Sequence, residues 1–364
     1  MRFQKITIGQ LEHFVQSGDY SAFGPLPITP LRALSQVKNP KASPDDVVLT
    51  LAVSDDEELI GYIGALPERI GDVRCAWNSG WWVKDGSPAE VSMKLLFSFL
   101  NDWNRKILFS EMTPHTSLLI EKLKFCSHQT IFGLRGYSRF CLSEVLVRKK
   151  PSLKRFGILF NLADFFGNVL VDLFQLFLSK AYHRSEGMLV EEMDTLTEAC
   201  DEFISRHNQK QPAHRYSRDF NWISGNHWVV QEPYADNTIG KRYFFSYAVK
   251  DFQLRWVKFT RNGEIVALVC YSIRDNKLKL PYVYAEDSAV AEVGDFFYSW
   301  LLSNKKVCSI TTFHPGLAEY LSSGKQFLFK TRLPKLSAVS HVLLGQLALS
   351  DFEMQMGDGD CIFT

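Results

Sequence analysis

Three groups of residues have types and spacing suited to chemistry. Arg218-Asp219-Phe220-Asn221-Trp222, followed by Asn226-His227-Trp228, interleaves polar groups with aromatic rings. A substrate groove is lined this way, and an aromatic plug on a loop reads the same. Arg218, Trp222, His227 and Trp228 are its candidate contacts. Two carboxylates, Glu68 and Glu111, fall at the ends of short apolar runs. There they are either exposed strand-end charges or positioned proton acceptors. Lys84-Asp85-Gly86-Ser87-Pro88-Ala89 follows the run Trp81-Trp82-Val83 and precedes a helical pattern. Its plain reading is strand, turn and helix, with Ser87 as N-cap and Pro88 at the first helical position.

Other chemistries lack their residues. His115, His128, His214, His227 and His314 have neither i, i+4 pairing nor Cys partners, so no metal site is expected. The chain has no G-x-S-x-G, no P-loop and no Rossmann glycine pattern. Gly357-Asp358-Gly359-Asp360-Cys361-Ile362-Phe363-Thr364 offers two Asp without further ligands, and reads as a docked tail anchored by Ile362 and Phe363.

The elements that must position these residues follow from periodicity. Val47 to Val53 and Leu59 to Leu66 form a hairpin across a polar turn, and Arg74 to Val83 is a third strand. Val91, Leu95, Leu96, Phe99 and Trp103 give a helix over Ala89 to Asn104. Ile107 to Ser110 is a strand, Pro114 to Lys124 a helix, and Phe125 to Val147 one or two closing strands. The order then recurs. A helix over Met193 to Asn208 precedes strands Phe252 to Thr260 and Ile265 to Ile273, joined by Asn262-Gly263, a strong hairpin signal. Lys279 to Tyr284 is a strand, Ser288 to Leu302 a helix, Val307 to Thr312 a strand, Pro315 to Leu321 a helix and Phe327 to Leu333 a closing strand.

With 364 residues, the chain has length for two domains of roughly 150 residues or one large one. It carries 41 Lys plus Arg against 40 Asp plus Glu, a balance that argues against a nucleic-acid partner. The seven cysteines are an odd number without C-x-x-C spacing and suit a reducing compartment. The first residues lack an apolar run and cleavage site, so the expected localisation is cytoplasmic. Phe156 to Leu178 is apolar enough to raise the question of a membrane, but Asn161, Asp164, Asn168, Asp172 and Gln175 form one polar stripe. The basic flanks (Arg148, Lys149, Lys150, Lys154 and Arg155 before, Lys180 and Arg184 after) suit either a dimer or interdomain interface through 156–178 or peripheral contact with an anionic membrane.

The twice-used order of hairpin, strand, helix, strand, helix, strand resembles the GNAT (GCN5-related N-acetyltransferase) fold. The resemblance covers about 1–147 and 187–340. It implies an α+β protein of two GNAT-like domains, each a mixed, mostly antiparallel sheet flanked by helices. The expected domains are 1–147, an amphipathic linker helix in 148–186, and 187–364 with its docked tail. The family carries an Arg/Gln-x-x-Gly-x-Gly/Ala loop between strand and helix. Lys84-Asp85-Gly86-Ser87-Pro88-Ala89 stands there with one Gly, and Ala285-Glu286-Asp287-Ser288-Ala289 stands in the second copy with none. The implied cosubstrate is acetyl-CoA or another acyl-CoA, its pyrophosphate on the amides of Val83, Lys84, Asp85, Gly86, Ser87 and Ala89, without a metal.

The family's later motif matches at Glu121, Lys122 and Phe125, but Ile120 stands where a Tyr often protonates the departing thiolate. Tyr320 of the second copy is the alternative acid. Glu111 and Glu68 are the implied base candidates. The resemblance therefore implies an acyl-CoA-dependent N-acyltransferase acting on a small-molecule amine or a cell-envelope precursor. A catalytically degenerate pair serving as a binding or scaffolding protein stays open beside it.

Overall fold

The computed structural model describes residues 1–178, 187–324 and 327–364. From the N-terminus the elements are β1 (Arg2–Thr7), α1 (Ile8–Gln16), α2 (Gly18–Ala22), α3 (Pro30–Val37), β2 (Val47–Val53), β3 (Leu59–Ile70) and β4 (Val73–Val83). Next come α4 (Ala89–Asp102), β5 (Ile107–Phe109), α5 (Pro114–Leu123), β6 (Cys126–Tyr137), α6 (Leu142–Lys149) and α7 (Gly157–Leu178). The middle of the chain holds β7 (Met188–Met193), α8 (Asp201–His207), α9 (Ser217–Gly225), β8 (Val230–Gln231), α10 (Asn237–Arg242) and β9 (Ala248–Val249). It closes with β10 (Phe252–Arg261), β11 (Glu264–Arg274), β12 (Lys277–Ala285), α11 (Val290–Ser303), β13 (Ser309–Thr312), α12 (Pro315–Ser323), β14 (Phe329–Ser340) and α13 (His341–Gln346).

The chain is α+β and divides into two compact units. The first comprises 1–131, 194–252 and 335–364, and the second 132–193 and 253–334. These differ from the contiguous domains 1–147 and 187–364 that the sequence suggests. Residues 194–252 join the first unit because their aromatics serve its core: Tyr243 and Tyr247 are buried with Leu11, Phe14, Leu49 and Tyr62. β6 and β14 each contribute residues to both units.

In the first unit, β1 to β4 form an antiparallel meander, β4 and β5 run parallel, and β14 pairs antiparallel with the far side of β5. α4 forms because Val91, Leu95, Leu96, Phe99 and Leu100 recur on one face, and all five are buried against the sheet. Each such side chain contributes about 1.5–3 kcal/mol on leaving water. In the second unit β7, β10, β11 and β12 are antiparallel neighbours, β12 and β13 run parallel, and β6 lies beyond β13. Asn262 and Gly263 join β10 to β11 with φ of 52° and 85°, the conformation a two-residue hairpin turn requires.

Three local expectations change. The helix expected over Met193 to Asn208 is confined to α8, which follows a 3-10 turn at Glu198–Cys200, and Met193 itself pairs with Trp256 at the end of strand β7. The closing strand after α5 ends at Tyr137, and Leu142–Lys149 is helical. Pro88, not Ser87, is the N-cap of α4, and no side chain caps it.

Candidate functional site

The first unit contains a wedge between parallel strands. β4 and β5 pair only at Ala76 with Ile107 and Trp77 with Leu108. Beyond Trp77, β4 runs on to Val83, its other edge held by β3. Ser79 and Gly80 together face Gly64 in a bulge there, one residue more than β3 supplies, since Ala65 pairs with Asn78 and Ile63 with Trp81. β5 stops at Phe109, and Glu111 leaves in the left-handed region at φ 50°. The strands therefore part on both sides, a consequence of one bulge and one short strand.

The chain's own segment Gly357–Phe363 enters the wedge. Asp360 Oδ2 accepts from Ser79 Oγ at 2.5 Å, and Cys361 Sγ lies 3.6 Å from Ser110 Oγ, just past β5. Gly359, at φ 74°, passes so close that a Cβ would overlap the Ser110 hydroxyl and touch the Trp77 ring. Only glycine meets both demands. Phe363 is fully buried, stacked on Trp228 at 4.3 Å and 12° and edge-on to Trp222 at 5.2 Å. The Trp228 amide donates to the Phe363 carbonyl at 3.0 Å.

Three buried cations hold the segment. Lys335 Nζ donates to the carbonyls of Gln355 (2.9 Å) and Met356 (2.7 Å). Arg215 donates to those of Gly357 (3.3 Å) and Gly359 (2.8 Å). Arg32 donates to Ser79 O and Oγ, both at 2.6 Å, and to the Tyr243 hydroxyl at 2.9 Å. Burial opposes the Arg32 charge, but Tyr243 and Asp360 outweigh it and its pKa is raised. Arg32, Ser79 and Asp360 thus form a polar chain from α3 through β4 to the segment.

A cavity of about 480 Å³ opens beside it, lined by Arg32, Glu111, Trp228, Tyr243, Phe244, Phe245, Ser246, Asp360, Cys361 and Thr364. Glu111 is exposed there. The Cys361 thiol is pushed up to about 12, first by burial and then by the nearby carboxylates Glu111 and Asp360, so at neutral pH it is a neutral thiol and not a nucleophile. What the cavity offers is a carboxylate proton acceptor, an arginine and a wall of aromatic rings.

At the C-terminal end of β4, about 13 Å from Ser79 along the strand at ~3.3 Å per residue, the Lys84–Ala89 turn is open. Gly86 has φ 82° with open space where a Cβ would stand. The Ser87 amide closes on Lys84 O at 3.1 Å, and Pro88 has no N–H. Lys94 pairs with Glu90 at 3.2 Å and offsets its charge at the helix start, while Lys84 is engaged by Glu58 at 2.6 Å and Asp85 is exposed beside it. The first-turn amides of Ala89 and Glu90 have no acceptor within α4, so this corner fits a diphosphate. The second unit's equivalent has the same backbone pattern. The Glu286 amide donates to Val266 O at 3.0 Å and the Ala289 amide to Glu286 O at 2.9 Å, as Lys84 does to Ile60 O at 2.9 Å and Ser87 to Lys84 O. β12 likewise runs on to Ala285 beyond its pairing with β13 over Lys277–Leu280. It differs in chemistry, with Glu286 and Asp287 and no glycine at the turn, which disfavours a diphosphate there.

The sequence-derived candidates fall in different places. Val83–Ala89 form the open corner, and Glu111 and Trp228 line the cavity. Glu68 is not an exposed strand end: β3 extends to Ile70, and Glu68 is 3% exposed. It is bound to Lys41 at 2.5 Å and the Trp77 indole at 3.3 Å, with Arg215 at 3.6 Å. Burial would raise its pKa, but Lys41 and Arg215 outweigh it and the value is lowered. Glu68 thus braces Arg215, which grips the inserted segment. Tyr320 lies in the second unit, packed over Gly294 with its hydroxyl donating to Asp295 at 2.7 Å. Trp222 donates to Ser35 O at 3.1 Å, the His227 ring lies 5.3 Å from Phe252, and Arg218 is exposed on α9. Among the described residues no three His, Cys, Asp or Glu side chains gather as a metal site would need.

No family model matches the chain, and no curated protein does either. Among solved structures it is similar to a GCN5-related N-acetyltransferase from Kribbella flavida at TM-score 0.48 and 11% identity, covering 96% of this chain and 74% of that one. It is similar to another from Anabaena variabilis ATCC 29413 at TM-score 0.46 and 11% identity, covering 94% and 74%. A tandem GNAT protein from the clavulanic acid biosynthesis pathway is similar at TM-score 0.44 and 11% identity, covering 93% of this chain and 98% of that one.

Proposed function

We propose that the chain is an acyl-CoA-dependent N-acyltransferase whose reacting centre is the wedge of the first unit. The observation that carries this reading is the parting of β4 from β5, with an open amide corner at the C-terminal end of β4 and a carboxylate-bearing cavity beside Asp360, which Ser79 of the same strand contacts. The amides of Gly86, Ala89 and Glu90 would hold the diphosphate, and the acyl arm would follow β4 toward Ser79. An amine in the aromatic cavity would lose its proton to Glu111 and attack the thioester carbonyl. The C–N bond forms as the C–S bond breaks, and the thiolate is a leaving group stable enough to depart without a tyrosine acid at Ile120. Arg32, held charged, places positive potential beside the carbonyl oxygen as it becomes an oxyanion.

The test is release of free CoA thiol from acetyl-CoA across a panel of primary amines. Glu111→Gln should lower turnover by about 10²–10⁴-fold at unchanged Tm, the usual contribution of a positioned base. Full turnover in that variant would remove Glu111 from the mechanism. A second reading, a pair that binds without catalysis, is favoured by the segment Gly357–Phe363 lying inside the wedge. It predicts no CoA release with any amine, even where acetyl-CoA raises the Tm.

A further inference from the structure

Helix α7 turns its apolar face outward. Ile158, Leu159, Leu162, Phe165, Phe166 and Leu170 recur at helical spacing and are 49–77% exposed. Pro151–Leu173 contains a stretch long and apolar enough to cross a membrane by length and composition. The opposite stripe is committed to the second unit. Asp164 accepts the amides of Leu142 (2.7 Å) and Ser143 (3.0 Å), and Asn168 exchanges two hydrogen bonds with the Phe140 backbone. Asp172 pairs with Arg139 at 2.6 Å and Lys305 at 3.0 Å. Crossing a bilayer would break these contacts and bury two carboxylates in hydrocarbon, so α7 lies along the protein.

Its charge shows what covers it. Asp164 and Asp172 are the only acidic residues between 150 and 178, and both face inward. Lys150, Lys154 and Arg155 are exposed immediately before the helix. A second copy of this helix brings no outward acid to meet them, whereas an anionic bilayer supplies both hydrocarbon and phosphate. An apolar cleft of about 540 Å³ borders the same helix through Phe140, which packs on Gly167.

We propose that α7 docks on the surface of an anionic lipid bilayer, its apolar face among the acyl chains and Lys150, Lys154 and Arg155 on lipid phosphates. This stands independently of the acyltransferase reading. The experiment is flotation of the full chain with phosphatidylcholine vesicles, with and without phosphatidylglycerol. Binding is expected only with the anionic lipid and is reversed by about 1 M salt. Lys150→Gln, Lys154→Gln and Arg155→Gln together should weaken partitioning on the order of a hundredfold, roughly fivefold per cation. Phe166→Ser with Leu170→Ser should abolish it while the Tm holds, since both side chains are exposed. Absence of flotation, equal binding to neutral vesicles, or retention at high salt would each overturn the proposal. So would a solution dimer that the Phe166→Ser and Leu170→Ser pair dissolves.

Discussion

Glu68→Gln removes a charge from the most enclosed ion cluster in the first unit. The amide keeps the shape, but Arg215, 4% exposed at its side chain, loses its carboxylate partner, and Lys41 keeps Asp219 at 3.4 Å and the His214 carbonyl at 2.6 Å. Breaking a buried pair from one side costs about 3–5 kcal/mol, and the partners left to Lys41 place this case near the lower value. At roughly 2–4 °C per kcal/mol for a unit of this size, the Tm should fall by about 6–12 °C. Differential scanning fluorimetry reads this directly. Lys210→Ala is the control, since its pair with Glu353 is 66% and 62% exposed and worth at most about 1 kcal/mol. The pH dependence has a definite sign. Because the folded pKa of Glu68 lies below its ordinary 4.5, its contribution is full above that pH and is lost as pH falls through the lowered value. The gap between wild type and variant should therefore close in acid. A Glu68→Gln Tm within about 2 °C of wild type at neutral pH would refute the cluster's role.

Phe363→Ala should destabilise the first unit by about 3–5 kcal/mol, measured by urea unfolding, because a fully buried ring between two indoles is lost. The same change should alter the fluorescence of Trp222 and Trp228. Gly359→Ala meets both an unfavourable φ and an overlap with Ser110, so it should displace the segment and raise exchange of the Trp228 amide with deuterium. Gly86→Val should raise the KM for acyl-CoA while costing about 1–2 kcal/mol of strain, since open space surrounds a residue at φ 82°. If KM is unmoved, Gly86 does not touch the diphosphate.

The sequence reveals most where structure is local. The Asn262-Gly263 hairpin and the buried stripe of α4 follow from short-range rules, and both form near their expected limits. Reading fails where distant chain decides the outcome. No local pattern marks a strand at Met188–Met193, yet Val190 pairs with Phe259 and Glu192 with Val257. Glu68 looks like a strand-end charge until Lys41 and Arg215 enclose it. In the site, Glu111 and Trp228 were legible by type, and Val83–Ala89 by position between strand and helix. Arg32 and Tyr243 carry no local signal, because the contact joining them spans 211 residues of chain. The tail motif was visible as an anchored turn, but its place between β4 and β5 depends on a bulge at Ser79 that no pattern announces.

Hydrogen exchange of the full chain with millimolar acetyl-CoA, followed by mass spectrometry, tests the central claim most directly. Protection should appear at Gly86 and Ala89–Val91 and along Asn78–Val83, with none at Glu286–Val290 of the second unit, and the Tm should rise as a ligand specific to the folded state requires. An unchanged Tm with no protection at that corner, or protection confined to the second unit, would contradict the account.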